Sequence, residues 1–224
     1  MRILINGFNG NMGRAIQAQC KKVSDIQISD FKAKEFDSNS VSALIDFSVP
    51  DGFTEALNFC AENKIPFISG TTGLSAKHLE GVIAAKKIIP ILIASNMSLG
   101  IANLKSSIEK YLFSINTSVS CKIIEIHHTK KKDSPSGTAL EIVRFLENYH
   151  ADKIDGLIDV ESYRIGNIFG IHRIEFKTEE GITNFQHIAS SRDIFAIGAL
   201  EAARSINSME IGEYSFTDFL SKKL

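Results

Sequence analysis

The chain has 224 residues, 44% hydrophobic and 23% charged, enough to bury a core in one large domain or two small ones and too apolar for a disordered chain. Its 25 Lys and Arg balance 26 Asp and Glu to a net charge of -1, without the cationic surplus of a general nucleic-acid binder. Cys20, Cys60 and Cys121 lie far apart and form no CxxC, as reduced thiols do. The opening MRILING is too short an apolar run for a signal peptide, and the longest apolar segment, Ile88 to Ala94, is interrupted by a proline and far below spanning length. The Asn96-Met97-Ser98 and Asn116-Thr117-Ser118 triplets then read as chance glycosylation matches. The expectation is a cytoplasmic protein that binds neither nucleic acid nor membrane.

In chain order, RILIN (2–6) predicts a buried strand, and NMGRAIQAQCKK places Met12, Ala15, Ile16 and Gln19 at helical spacing. Strands follow at 26–30, 43–48, 66–70 and 90–95, separated by helix-like segments at 51–64 and 75–87. Continuous apolar strands alternating with helices predict a parallel sheet covered on both faces, a Rossmann-like doubly wound α/β fold. After a helix near 99–113 the character changes. Residues 119–128 form a strand, 138–149 a helix, and 157–165, 170–178 and 182–190 alternate apolar with polar residues as half-exposed antiparallel strands do. The stretch 192–207 is helical again. This predicts two domains: 1–97 with 193–224, and 98–192, the latter a smaller α+β domain with a mainly antiparallel or mixed sheet.

Between the first strand and first helix, INGFNGNMGRA carries Gly7, Gly10 and Gly13. Glycines there allow a tight turn and close approach of a pyrophosphate to helix N-terminal N–H groups, so Gly7, Phe8, Asn9, Gly10, Asn11 and Met12 are candidate dinucleotide contacts. The spacing is GxxGxxG, with Asn9 where the common fingerprint has its second glycine. Asp30 closes the second strand, where a carboxylate accepts from ribose hydroxyls and repels a 2′-phosphate. This favours NADH over NADPH, although Lys32 and Lys34 follow and could offset the repulsion. SGTTG (69–73) and ASNMSLG (94–100) also fall at carboxyl ends of parallel strands, adding Gly70, Thr71, Thr72, Ala94, Ser95, Asn96 and Met97 as candidates.

EIHHTKKKDSPSGTAL (125–140) crowds cations beside two imidazoles and ahead of a helix N-terminus. His127, His128, Lys131, Ser136, Gly137 and Thr138 offer donors converging on something small and carboxylated, whereas a basic run alone would be a solvated loop and Ser or Thr alone an N-cap. Metal binding is the rival reading of paired histidines. Adjacent residues on a strand point to opposite faces, and no third ligand stands at recognisable spacing, so no metal is expected.

The stretch E-x-H-H-x-x-K-x-D-x-P-S-G-T-A, here Glu125, His127, His128, Lys131, Asp133, Pro135, Ser136, Gly137 and Thr138, closely resembles the signature of the dihydrodipicolinate reductase family. The glycine turn and residues 45–52, 70–73, 94–100, 189–192 and 212–220 resemble that family's other blocks in order. Ser134 replaces an alanine, Asn9 and Asn11 alter the phosphate turn, and the segment from Asp30 to Asp46 is short, as in a compact variant. The resemblance implies NADH- or NADPH-dependent reduction of dehydrated hydroxy-tetrahydrodipicolinate in the diaminopimelate route to lysine, by a homotetramer. It implies acid–base roles for His127 and Lys131 and substrate-carboxylate contacts from His128, Ser136, Gly137 and Thr138. Another nicotinamide-dependent amino-acid dehydrogenase, or a non-catalytic NAD sensor, are the alternatives.

Overall fold

A computed structural model describes residues 1–223, which form two compact units: Met1–Ser98 together with the chain from Arg192 onward, and Leu99–Ser191. In the first unit β1 (Arg2–Asn6) leads through the glycine turn into α1 (Asn11–Cys20), and β2 (Gln27–Asp30) follows. Then come β3 (Ala43–Asp46), α2 (Pro50–Asn63), β4 (Phe67–Ser69), α3 (Ala76–Ala85) and β5 (Pro90–Ile93). Proline opens α2, where its missing N–H costs nothing, and Lys64 ends it in the left-handed conformation.

The second unit begins with α4 (Leu99–Ser114), β6 (Ser120–His127) and α5 (Gly137–Tyr149). It continues through β7 (Asp159–Arg164), β8 (Ile171–Thr178) and β9 (Gly181–Ile188). Its sheet runs β7-β6-β8-β9, with β6–β8 and β8–β9 antiparallel. β7 runs parallel to β6, which makes the sheet mixed, one of the two forms expected. Alternation of apolar and polar residues reports that one face is half-exposed, not strand direction, and here α5 makes β6–α5–β7 a crossover that returns parallel. One face of the sheet packs Cys121, Ile123, Ile174 and Phe176 against Ile101, Ile108 and Leu112 of α4 and Ala139, Ile142 and Leu146 of α5. The opposite face leaves Ile182 and Ile188 more than half exposed.

The chain returns to the first unit as α6 (Asp193–Ser205), β10 (Gly212–Tyr214) and α7 (Phe216–Lys223). Sequence periodicity assigned no element beyond 207: three residues of strand carry no legible period, and α7 has little more than two turns. The first sheet is parallel throughout, in the order β10-β5-β4-β3-β1-β2. Ile3, Ile5, Ile45, Ile68 and Leu92 face α1 and α6, while Leu4, Leu44, Phe67 and Ile91 face Phe53, Leu57 and Cys60 of α2 and Val82 of α3. This is the doubly wound arrangement. It brings the turns after β1, β3 and β4 to one edge of the sheet, where open α/β sheets bind ligands.

Candidate active site

At that edge of the first unit two glycines of the turn have no room for a side chain. Gly7 has φ +84°, and a Cβ there would lie 2.4 Å from the Phe47 carbonyl oxygen. A Cβ on Gly13 would lie 2.3 Å from the carbonyl oxygens of both Gly7 and Phe8, so the turn closes on α1 through backbone alone. Gly10 N–H donates to the Gly7 carbonyl at 2.9 Å, and Gly10 caps α1 without any side-chain hydrogen bond. Asn9, Gly10 and Asn11 are exposed. An exposed helix N-terminus with no side-chain cap, behind a turn whose Gly7 and Gly13 admit no Cβ, fits the pyrophosphate of a dinucleotide.

The other candidates divide between surface and scaffold. Phe8 and Met12 pack against the core, and the Phe8 carbonyl accepts from Gln17 Nε2 at 2.7 Å. Asp30 Oδ1 accepts from Lys32 N at 2.9 Å, and Lys32 forms an ion pair with Glu55. Gly70 admits the Phe47 ring, and Thr72 is exposed. Thr71 is buried, its hydroxyl donating to Asp46 Oδ2 at 2.7 Å. Ala94 N donates to the Ser69 carbonyl at 3.0 Å, Ser95 is exposed, and Asn96 Oδ1 accepts from Ser98 N at 2.7 Å. Met97 is buried in the core.

In the second unit, β6 alternates so that Glu125 and His127 are buried while His128 follows on the other face. Glu125 is fully buried. One oxygen pairs with His127 Nδ1; the other accepts from Arg164 Nη2 at 2.8 Å and Ser136 N at 3.2 Å. Burial alone would raise the Glu125 carboxyl, but the hydrogen bonds from His127 and Arg164 outweigh it and hold it well below the usual carboxylate range. An ionised Glu125 makes His127 Nδ1 the donor and turns the proton chemistry of the ring to Nε2.

Arg164 also donates to the Asp133 carbonyl at 2.5 Å, bracing the basic loop, in which Lys131 pairs with Asp133 at 2.9 Å. Ser136 caps α5 by accepting from Ala139 N at 3.2 Å, and its hydroxyl also meets His172 Nε2 at 3.2 Å, so both its polar groups are committed to the scaffold. Gly137 and buried Thr138 open the helix and present its N-terminus.

The comparisons with known proteins decide the family. Models described as "Dihydrodipicolinate reductase, N-terminus" and "Dihydrodipicolinate reductase, C-terminus" match residues 22–97 and 100–220. The chain belongs to the dihydrodipicolinate reductase family. It is 35% identical to the 4-hydroxy-tetrahydrodipicolinate reductase of Alkaliphilus metalliredigens, over 98% of this chain and 99% of that protein. It is 33% identical to the one from Bdellovibrio bacteriovorus, over 100% and 97%. A dipicolinate-bound dihydrodipicolinate reductase from Paenisporosarcina sp. TG-14 shares the fold, with TM-score 0.73 at 18% identity and 96% and 97% coverage. The chain is therefore an NAD(P)H-dependent oxidoreductase of lysine biosynthesis, which removes the amino-acid dehydrogenase and sensor alternatives.

Two residues that the structure places beside Glu125 and His127 escaped sequence reasoning. Arg164 pairs across the sheet with His127, and His172 with Glu125. The His172 ring lies 5.1 Å from that of His127, and Gly170 leaves room beside both. Donor atoms of Glu125, His127 and His172 all fall within 4.8 Å of one another, a grouping a metal could use. Hydrogen bonding accounts for it: Arg164 already supplies the positive charge Glu125 requires, and His172 Nε2 meets Ser136.

Proposed function

We propose that the first unit holds the nicotinamide dinucleotide and the second holds the dicarboxylate, with His127 and Lys131 managing the proton. The bound cofactor supplies the hydride that reduces the conjugated imine of dehydrated 4-hydroxy-tetrahydrodipicolinate, and the protein supplies position and charge. The observation that carries the reading is the buried Glu125–His127 pair with Arg164 behind it, set beside the opening of α5 and the Lys131 loop. Glu125 fixes the ring and tautomer of His127, leaving Nε2 to exchange a proton. The N–H groups of Gly137 and Thr138, the Thr138 hydroxyl and His128 receive the substrate carboxylates, and Lys131 is the second donor. Ser136 acts through the cap it forms. Burial of Glu125 keeps this electrostatic arrangement in a dry setting, where it is strongest.

For the cofactor, the N-terminus of α1 would hold the pyrophosphate and Asp30 would accept from the adenosine ribose hydroxyls. NADH is favoured, because Asp30 repels a 2′-phosphate and the charge of Lys32 is already met by Glu55. The half-exposed Ile182 and Ile188 lie on a sheet face that suits a homotetramer contact. The three buried free thiols suit the cytoplasm. The test is a spectrophotometric assay of NADH and NADPH oxidation with freshly generated substrate. Turnover is expected with both, with the higher kcat/KM for NADH, and Asp30→Ser is expected to shift the ratio toward NADPH. A wild type that strongly prefers NADPH would refute the Asp30 assignment.

A further inference from the structure

At the carboxyl edge of the first sheet, the apolar strands end in a buried polar row. Asn6, Asp46 and Ser69 are register partners across β1, β3 and β4, and all three are almost completely inaccessible. Asp46 accepts five hydrogen bonds: to Oδ1 from Asn6 Nδ2 at 2.9 Å, Ser48 N at 3.2 Å and Ser48 Oγ at 2.5 Å, and to Oδ2 from Ser69 Oγ at 2.8 Å and Thr71 Oγ1 at 2.7 Å. Every one of these donors is neutral. The donors come from the ends of β1 and β4 and from the turns that follow β3 and β4. Asn6 Nδ2 also donates to Ser48 Oγ and the Gly52 carbonyl, and Thr71 Oγ1 accepts from Ser48 N. Phe47 packs above this row, its carbonyl against Gly7 and its ring against Gly70.

A buried carboxylate without a cation is costly unless each oxygen is fully hydrogen-bonded, so its retention calls for a reason other than core stability. We propose that Asp46 is a positioning residue of the dinucleotide site, setting cofactor affinity without touching the cofactor by holding the turns after β1, β3 and β4 at one mutual geometry. This rests on the cofactor reading above. It also gives Thr71 a definite role: its hydroxyl points inward to Asp46, and the residue shapes the 69–73 turn.

The donor set dictates what a substitution does. In Asp46→Asn, only one atom of the amide can accept. Asn6 Nδ2 and Ser48 N cannot become acceptors, so the amide oxygen turns to them and its NH2 faces the hydroxyls of Ser69 and Thr71, which can rotate to accept. The fold survives and the strain falls on the 69–73 turn.

The test is fluorescence titration of NADH and NADPH into full-length wild type, Asp46→Asn and Ser69→Ala, with circular dichroism as the check on folding. For Asp46→Asn, Kd is expected to rise about tenfold or more, by the same factor for both nucleotides, the scale of a lost hydrogen bond to a charged group. At saturating cofactor, kcat and the dicarboxylate KM are expected to stay within about threefold, since the proton-handling residues belong to the other unit. Ser69→Ala, which keeps the carboxylate but removes a donor, is expected to give a smaller rise in both Kd values, and it decides the matter if Asp46→Asn does not fold. Wild-type Kd in the folded variants would overturn the positioning role alone. A wild type that binds neither nucleotide would overturn the cofactor reading and this inference with it.

Discussion

Lys131 and His127 are held to different degrees, and that difference separates their roles. His127 is buried with Nδ1 fixed by Glu125, whereas Lys131 pairs with Asp133 on a partly exposed loop and can follow a ligand. Lys131→Ala is expected to lower kcat by about 10²–10⁴-fold, the usual worth of a positioned proton donor, while NADH affinity is unchanged. Steady-state kinetics beside a fluorescence titration checks both halves, and near-wild-type turnover would remove Lys131 from the chemistry. The signature put His127, Lys131 and Thr138 within reach of sequence reading because they share one short segment. Arg164 and His172 were not legible. Their relation to Glu125 and His127 is set by the register of β7 and β8 on β6, and nothing in local spacing encodes that pairing. Ser136 was legible as a site residue, but its two partners, Glu125 and His172, were not.

Helices and strands were legible where burial imposes a period on enough residues. The first sheet announced itself because its strands are buried on both faces and separated by amphipathic helices. The direction of β7 and the existence of β10 lay outside that signal, since alternation is blind to direction and three residues are too few. On the proposed reading the N-cap of α5, its first turn and the basic loop form one anion-binding element, and among the described residues Lys131, alone of the three consecutive lysines, has an ion-pair partner, Asp133 in the same loop. Pyridine-2,6-dicarboxylate, a planar relative of the substrate, is therefore expected to compete with it. Removing the hydroxyl in Thr138→Val should weaken the analogue by roughly 1–3 kcal/mol, the worth of a hydrogen bond to a charged group. His128→Ala should weaken it too, whereas Lys130→Ala and Lys132→Ala should change it little. Calorimetric titration in the presence of NADH makes the comparison. Equal losses from Lys130, Lys131 and Lys132 would mean a diffuse positive field and no built site.

At the scale of the whole molecule, buried titratable groups limit stability from both sides of neutrality. Burial, and to a smaller extent the neighbouring His127 charge, pushes the His172 imidazole down from 6.5 to about 3. Between those values the unfolded chain holds a proton that the folded chain refuses. Stability therefore falls as pH drops below 6.5, by about 1.4 kcal/mol per pH unit for one such group. Glu125 adds to this below 4.5: its folded value is depressed, so its stabilisation is complete above 4.5 and is lost as the carboxylate protonates. On the alkaline side, burial pushes the Cys121 thiol up from 9.0 to about 12 and Cys60 well above its ordinary value. Above pH 9 the unfolded chain gives up protons that the folded chain keeps, and stability falls again. A plateau between roughly pH 6.5 and 9 is the expected profile. His172→Asn removes the contribution that sets in first on acidification while keeping a polar atom for Ser136. Its stability relative to wild type is expected to improve on going from pH 7 to pH 4 by about 3 kcal/mol. The two units need not unfold together, so the probe has to report on the second. Tyr111, Tyr149 and Tyr163 belong to it, only Tyr214 belongs to the first, and the chain has no tryptophan, so near-ultraviolet circular dichroism serves. Denaturant midpoints that run parallel for the two proteins from pH 7 to pH 4 would mean that His172 takes up its proton in the folded state, and the buried neutral imidazole would be wrong.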